Sequence, residues 1–455
     1  MKRYLAIDIG ASSGRHIAGW LEDGRLVTEE VYRFANANER ENGHLVWNVS
    51  RLFEEVKNGI ATAFKKYGEI ESLSIDTWAV DYVLMNGDKE ILPCYAYRDD
   101  RTAQPISKVH EIIPFQKLYA KTGIQYQPFN TIYQLYADKC AGRLEKATDY
   151  LMIPEYLIYK LTGVKATEYT NATATGLVNA KMHDFDREII ETLGLDTIAY
   201  GKLRQPGFFV GRLSDSVSKE VGGNTNVVLC ATHDTASAVL AAPIEGEVPY
   251  ISSGTWSLLG IEQSEAHTDT ESMSYNFSNE GSVNFTFRYQ KNIMGLWMIQ
   301  SVRKELGNIS FAEMEKMARE SKTDALVDCN DECFLAPQSM CAAVREKAGE
   351  ELDDGQLIRC IYRSLAQCYK QAISEMSQKL GKTFDTLHII GGGSKDGFLN
   401  QLTAKATGLK VVAGPAEATS IGNFLVQMVA SNECKDIAEG RKIIKNSFPL
   451  NVFGE

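Results

Sequence analysis

None of the nine cysteines stands in a Cys-x-x-Cys pair, and the closest two, Cys329 and Cys333, are four apart with no His-x-His motif nearby. Reduced thiols in a reducing compartment are therefore expected, rather than a zinc framework or a disulfide scaffold. Long apolar runs are missing too: nothing approaches the ~18 residues needed to span a bilayer. The apolar start Tyr4-Leu5-Ala6-Ile7 is broken by Asp8 and Gly10, too early for a secretory leader. A cytoplasmic protein without a membrane partner is the expectation. Positive charge is scarce: 48 Lys and Arg stand against 59 Asp and Glu, a net charge of −11. Without clustered Lys and Arg, a helix-turn-helix or a basic arm, no nucleic-acid partner is expected. A nucleotide is not excluded, because local backbone amides and a cation hold its phosphates, not global charge.

What is present is ordinary for a globular protein. The 455 residues, 44% hydrophobic and 24% charged, suit two or three domains on a scale of roughly 100–200 residues each. The chain opens as a strand meander. An apolar run over 4–9 is followed by a loop of small residues from Gly10 to Gly14 and a second strand over 16–21. An Asp23-Gly24 hairpin signal and a third strand over 25–34 complete it. Because the residues after the small loop continue as strand, the dinucleotide and P-loop arrangements, which need a helix there, fail on context. A helix is predicted over 49–67 with Asn48 or Ser50 as its cap, then a strand over 72–78 and a hairpin at Asn86-Gly87. Residues 104–162 read as a mostly helical, lid-like layer. A strand over 226–231 ends at Thr232-His233-Asp234-Thr235 and runs into a small-residue helix over 236–241.

Near residue 243 the pattern restarts: a strand over 249–252, the small loop Ser253-Gly254-Thr255, and a strand over 257–262. This echo of the opening strand, loop and strand predicts a duplicated core. A long amphipathic helix over 356–380 follows, then a strand over 386–390, Gly391-Gly392-Gly393, a helix over 397–407, and a last, apolar helix over 420–430. Two α/β domains of similar core facing each other across a cleft, 1–242 and 243–455, are the expected architecture, since clefts between domains favour ligands.

Phosphoryl transfer needs donors for the phosphates, a cation for the developing charge and a group for the hydroxyl proton. The first small loop supplies backbone amides at Ala11 to Gly14, hydroxyls at Ser12 and Ser13, and a fixed charge at Arg15. Asp8, at the strand end, is the candidate Mg²⁺ ligand, through the ion's waters. Thr255 marks a second phosphate loop, and the Gly391–Gly393 turn reads as an adenosine shelf at a helix start. Asp234 ends a buried strand, where open α/β sheets place ligands, and is the candidate base, with His233 and Thr235 on either side. A carboxylate with an ordinary pKa of about 3.9 suffices if it mainly orients the hydroxyl and proton transfer is late. Asp81 and Trp78, in Asp76-Thr77-Trp78-Ala79-Val80-Asp81, are candidate sugar contacts. A glycosidase pair is disfavoured, because both carboxylates sit on one short segment. Arg288, Asn292 and Gln300 fall in a stretch read as helix or loop with Trp297.

Four segments together resemble the FGGY carbohydrate kinases: Asp8 to Arg15, Ile75 to Tyr82, Thr232 to Val239, and Ser253-Gly254-Thr255-Trp256-Ser257-Leu258. The resemblance spans nearly the whole chain. It implies an α/β, actin-like (sugar kinase, chaperone and actin) fold with a duplicated ribonuclease-H-like core. The N-terminal domain would hold the substrate and first phosphate loop, the C-terminal domain the nucleotide. It also implies Asp234 as proton acceptor, Ala79, His233, Thr235 and Asn292 on the sugar, and Gln300 and Gly392 on the nucleotide. Gly10-Ala11-Ser12-Ser13, where most of the family has Gly-Thr, is the form of the branch that acts on L-rhamnulose. ATP and Mg²⁺ are the implied co-substrate and cofactor, and the state a monomer or homodimer. The branch usually carries Gln-Asn where this chain has Lys395-Asp396. That departure touches the adenine side and leaves room for fuculose or xylulose. An actin-like ATPase with a protein partner, which needs no base at Asp234, and a silent sugar sensor are the rivals from other classes.

Overall fold

The computed structural model describes residues 1–335 and 337–454. The chain divides into two compact units. The first is Met1–Pro243 with Gln263–Tyr289 and Ala418–Ser447; the second is Ile244–Glu262 with Gln290–Glu417 and Phe448–Glu455.

The first unit is built on β1 (Tyr4–Ile9), β2 (Ser13–Glu22), β3 (Arg25–Ala35), β4 (Ser72–Thr77), β5 (Phe209–Arg212) and β6 (Asn226–Val228), in the order β5-β6-β4-β1-β2-β3. β1 and β4 are buried at every position, as parallel strands covered on both faces are, although β4 carries Ser72, Ser74, Asp76 and Thr77. Their register sets Asp8 opposite Asp76. The antiparallel partner β2 sets Arg15 opposite Asp8. Helix α1 (Val49–Tyr67) covers this sheet and is capped as expected: Asn48 accepts from the Arg51 amide. Residues 103–162 carry four helices, but strand Asp149–Met152 interrupts them and pairs with Tyr82–Asn86. The predicted lid-like layer thus has its own core of Tyr82, Leu118, Ile132, Leu135 and Tyr150.

Two further helices of this unit matter for the site, α2 (Asp234–Leu240) and α3 (Ala418–Ala430). β6 stops at Val228, three residues before the predicted end, and α2 begins at Asp234 itself. α3 is buried as its composition predicts, yet it carries polar side chains inward. Gln427 donates to the Leu5 carbonyl at 3.2 Å and accepts from Ser72 at 2.6 Å, and Asn423 donates to Asp76 at 2.6 Å. The sequence placed the last helix here, but another, Ile437–Ser447, follows.

His16 is the one wholly buried imidazole of the sheet, packed on Gly59, where a Cβ would come within 2.3 Å of the ring. Its Nε2–H donates to the Val56 carbonyl at 3.1 Å, and Nδ1 has no partner. Burial depresses its pKa to about 4, whereas the unfolded chain takes up that proton near ~6.5. The unfolded state therefore binds the extra proton between those values, and stability falls as pH drops through that window, by about 3 kcal/mol in total. We expect His16→Gln to remove this share. The difference in urea midpoint between pH 7 and pH 4.5 should shrink in the variant, and an unchanged difference would exclude the assignment.

The second unit repeats the opening motif. Strands β7 (Tyr250–Ser253), β8 (Trp256–Gln263), β9 (Thr386–Ile390), β10 (Lys410–Ala413) and β11 (Asn451–Phe453) run in the order β8-β7-β9-β10-β11. β7 pairs antiparallel with β8 and parallel with β9, just as β1 pairs with β2 and β4. The duplication read from the sequence is thus seen strand for strand. Among the described residues no helix is long and apolar enough to cross a membrane.

Candidate active site

In the first unit several of the predicted site residues lie at the carboxyl ends of the parallel strands, where open α/β sheets place ligands. Asp8 ends β1 and Asp76 lies beside it on β4. Beyond β6 the chain forms a bridge between Thr77 and His233, with the Thr77 amide donating to the Thr232 carbonyl at 3.0 Å. Thr232 is clamped a second time, its amide and hydroxyl both donating to the buried Glu168 at 3.1 and 2.9 Å. These bonds deliver His233 and Asp234 to the same strand end as Asp8 and Asp76.

Asp234 keeps 33% of its side chain exposed, and its Oδ1 accepts from the Thr235 amide at 2.5 Å and the Thr235 hydroxyl at 3.2 Å. His233 Nε2 lies 3.4 Å from that oxygen. Asp76 is fully buried. Burial first, then the charges of Asp8 and Asp234, push its carboxyl well above the usual carboxylate range, against the Asn423 hydrogen bond and the more distant Arg15. Its Oδ1 has no hydrogen-bond partner within the protein. Two neighbouring carboxylates thus act on Asp76 here.

The first small loop is shorter than predicted, because β2 already starts at Ser13. The Gly10 amide donates to the Ser13 carbonyl at 2.9 Å, and Asn36 braces the turn through Gly10 and Ser12. Ser12 is exposed, and Ala11 and Ser13 are half-buried. Gly14 does not belong to the open loop: it is buried in β2, and a Cβ there would come within 2.1 Å of the Phe34 ring. Arg15 is ion-paired with Asp8 at 2.6 Å.

Asp81 also departs from the sequence reading. It is fully buried, and it accepts from Trp47, Trp78 and the Tyr97 amide on one oxygen, at 2.6, 2.9 and 3.0 Å. Gln134 donates to the other at 3.0 Å. With its acceptor sites engaged, Asp81 shapes the segment from beneath rather than touching a sugar, and Trp78 is a core residue. Burial, against those four bonds, raises its pKa to about 6. Above it, Val80 holds φ at +70°, a strained conformation for a β-branched residue. Its carbonyl is held by Thr131 at 2.8 Å and Gln134 at 3.2 Å. Ala79, Val80 and Ala174 form a small apolar cluster with Tyr97 and Phe129 at its edge.

The remaining predicted residues, all but Arg288, lie in the second unit. Thr255 is exposed on the turn between β7 and β8, where Leu296 and Trp297 donate their amides to the Gly254 and Thr255 carbonyls at 3.0 and 3.1 Å. Gly391 has φ +82°, and a Cβ on it would come within 2.9 Å of the Ser253 carbonyl. A Cβ on Gly393 would meet the Ser253 hydroxyl at 2.0 Å. Those two glycines are explained by close packing on β7, and Gly392 is the exposed one. The following helix, Gly397–Thr407, is capped by Asp396, which accepts from the Leu399 amide at 3.0 Å and from Tyr362 at 2.8 Å. Its N-terminus is therefore already matched with a carboxylate. Arg288 and Asn292 lie on a strand, Phe287–Met294, not in helix or loop as read, and Gln300 lies on helix Trp297–Glu305. The Asn292 Oδ1 is buried without a partner.

Sequence reasoning missed Glu168, Glu280 and Asn423 beside these residues, and named Arg288 without a role. Their only signal is a charged or amide side chain in an apolar surrounding, which has meaning once its partners are known. Among the described residues, one set of three ligand atoms lies within 4.8 Å of one another, that of His44, Asp99 and Asp100. Asp99 is engaged there by the Leu45 and Arg101 amides, and Asp100 is exposed.

The N-terminal domain of the FGGY family of carbohydrate kinases matches residues 3–241 and the C-terminal domain residues 249–431. This chain belongs to that family: it is a carbohydrate kinase, with ATP and a carbohydrate as its small-molecule partners. It is 43% identical to a rhamnulokinase of Oceanobacillus iheyensis, over 99% of this chain and 98% of the relative. It is likewise 43% identical to one of Halalkalibacterium halodurans, over 100% and 99%. Against one of Bacillus subtilis the identity is 40%, over 99% and 95%. The fold matches a ligand-bound xylulose kinase of Lactobacillus acidophilus with a TM-score of 0.83 at 16% identity, covering 100% and 94%. A glycerol kinase of Plasmodium falciparum with ADP matches with a TM-score of 0.79 at 14% identity, covering 100% and 94%. These likenesses establish the actin-like, duplicated ribonuclease-H-like fold.

Proposed function

We propose that this kinase transfers the γ-phosphate of ATP to the 1-hydroxyl of L-rhamnulose. The choice of sugar rests on the full-length likeness to rhamnulokinases at 40–43% identity. The apolar cluster of Ala79, Val80 and Ala174 suits the methyl group of a 6-deoxy ketose, which L-rhamnulose and L-fuculose carry and D-xylulose lacks.

In this reading Asp234 receives the reacting hydroxyl, orients it and takes its proton late in the transfer. Its exposed third leaves an oxygen for that bond, while the Thr235 amide and hydroxyl fix the carboxylate. His233, Thr235 and Asn292 contact other sugar hydroxyls, and the Asn292 Oδ1, buried and unpartnered, suits such a contact. Ala11 to Ser13, with Arg15 at its flank, and Ser253 to Thr255 are the phosphate loops of this reading. Gly392 and Gln300 serve the adenosine. Mg²⁺ fits the carboxylate group: the orphaned Asp76 Oδ1 and the charges of Asp8 and Asp234 that act on Asp76 are what a dication relieves. Asp8 would hold it through the ion's waters, with Asp76 behind. When bound, the ion neutralises charge on the transferred phosphoryl group.

A coupled ADP-release assay with L-rhamnulose, L-fuculose, D-xylulose and no sugar tests the proposal. We expect kcat/KM for L-rhamnulose to exceed the others by at least about tenfold. A higher value for another ketose would replace the substrate, and rapid ADP release without sugar would favour an actin-like ATPase.

A further inference from the structure

Behind His233 stands a buried charged pair to which the reading above gives no role. Arg288 is completely buried and Glu280 is 6% exposed, with Arg288 Nη2 3.0 Å from Glu280 Oε2. The same carboxylate oxygen lies 3.2 Å from His233 Nδ1, and the other ring nitrogen, Nε2, is the one that faces Asp234. Arg288 is itself oriented by the Gly281 carbonyl, to which its Nε–H donates at 3.3 Å. Its Nη2 approaches His233 Nδ1 less closely, at 3.4 Å, and its Nη1 has no protein partner.

A buried ion pair is a poor device for stability, because desolvating two charges offsets most of their attraction. Its position against one imidazole nitrogen suggests a different use. A carboxylate on Nδ1 fixes which nitrogen of a neutral histidine carries the proton, and holds the ring plane. We propose that Glu280, itself held by Arg288, is a positioning residue for His233: it accepts from Nδ1–H, so that Nε2 presents a lone pair. That lone pair then accepts a hydrogen bond from a ketose hydroxyl next to the one Asp234 receives. This inference rests on the proposed role of His233 at the sugar. Arg288 holds Glu280 in place, and without it the carboxylate would face the ring alone.

A double-mutant cycle tests it. Glu280→Gln and Glu280→Asp are each made alone and together with His233→Ala, and kcat, both KM values and the melting temperature are measured. In the native background we expect either Glu280 change to lower kcat/KM for the ketose by at least about tenfold, mainly through its KM, with the KM for ATP moving less than about twofold. In the His233→Ala background the same change should cost less than about twofold, because the residue acts through the ring. Glu280→Asp keeps the charge that Arg288 requires and withdraws the carboxylate by one methylene, so it carries the comparison if Glu280→Gln does not fold. Equal losses in both backgrounds, or sugar and ATP parameters falling together with the melting temperature, would overturn the positioning role and leave His233 at the sugar. If His233→Ala alone has no effect on the ketose parameters, the sugar-contact reading of His233 falls first, and this inference with it.

Discussion

Asp234→Asn is expected to lower kcat by at least about 10³-fold, equivalent to about 4 kcal/mol of transition-state stabilisation, while ATP affinity changes little. The amide is isosteric and still offers Oδ1 to the Thr235 amide and hydroxyl, so the turn into α2 should survive. What is lost is the charge that draws the hydroxyl proton. The measurement is ketose-dependent ADP release beside a calorimetric titration with an ATP analogue. A kcat within tenfold of the parent would remove Asp234 from the role of base. A parallel loss of nucleotide binding would instead point to a collapsed site. The Asp234 charge disfavours ionisation of the buried Asp76, so the substitution should also leave the protein equally or more stable in the absence of metal.

The largest effect on stability is expected from Gly422→Ala. Gly422 lies where α3 crosses α2, and a Cβ there would sit 1.8 Å from the Ser237 carbonyl oxygen and 2.6 Å from its carbon. Both atoms are backbone, so no rotamer relieves the contact and the helices must part. Overpacking of this kind costs about 3 kcal/mol or more, and each kcal/mol lowers the melting temperature of a domain this size by about 2–4 °C. Activity should fall as well, because Asn423, the next residue, holds Asp76. Gly440→Ala is the matched control. There the clash, also at 1.8 Å, is with the end of the Leu425 side chain, which can rotate away, and the gain in helix propensity of up to about 1 kcal/mol offsets the rest. Similar melting temperatures for the two variants would show that the α2–α3 crossing is not the constraint the geometry describes.

The meander over β1 to β3, helix α1 and the restart at β7 were legible because periodicity and turn chemistry are local properties. Asp23-Gly24 needs no distant partner to make a hairpin, and both residues take positive φ. The small loops were legible as loops, but their extents were not. Gly14 looks like a phosphate-loop glycine and Gly391 like part of an adenosine shelf in the chain, and each is instead demanded by a neighbour, the Phe34 ring and the Ser253 carbonyl. Glycine is required by close approach to anything, and a string of letters does not say to what. Asp81 misled for a related reason. A carboxylate beside a tryptophan is typical of a sugar site, yet Trp47 and Gln134, 34 and 53 residues away in sequence, engage it first.

Taken alone, the order of residues determined the family, the duplicated α/β core and the choice of Asp234, since these follow from local patterns and from motifs that survive in linear form. Only the tertiary structure decided which carboxylates share one strand end, that Asp81 is engaged from below, and that Glu280 and Arg288 stand behind His233. The reason is the range of the forces involved. Strand and turn preferences act over a few residues, whereas burial of a charge and the bonds that permit it depend on partners brought from up to 347 positions away, as Asn423 is to Asp76.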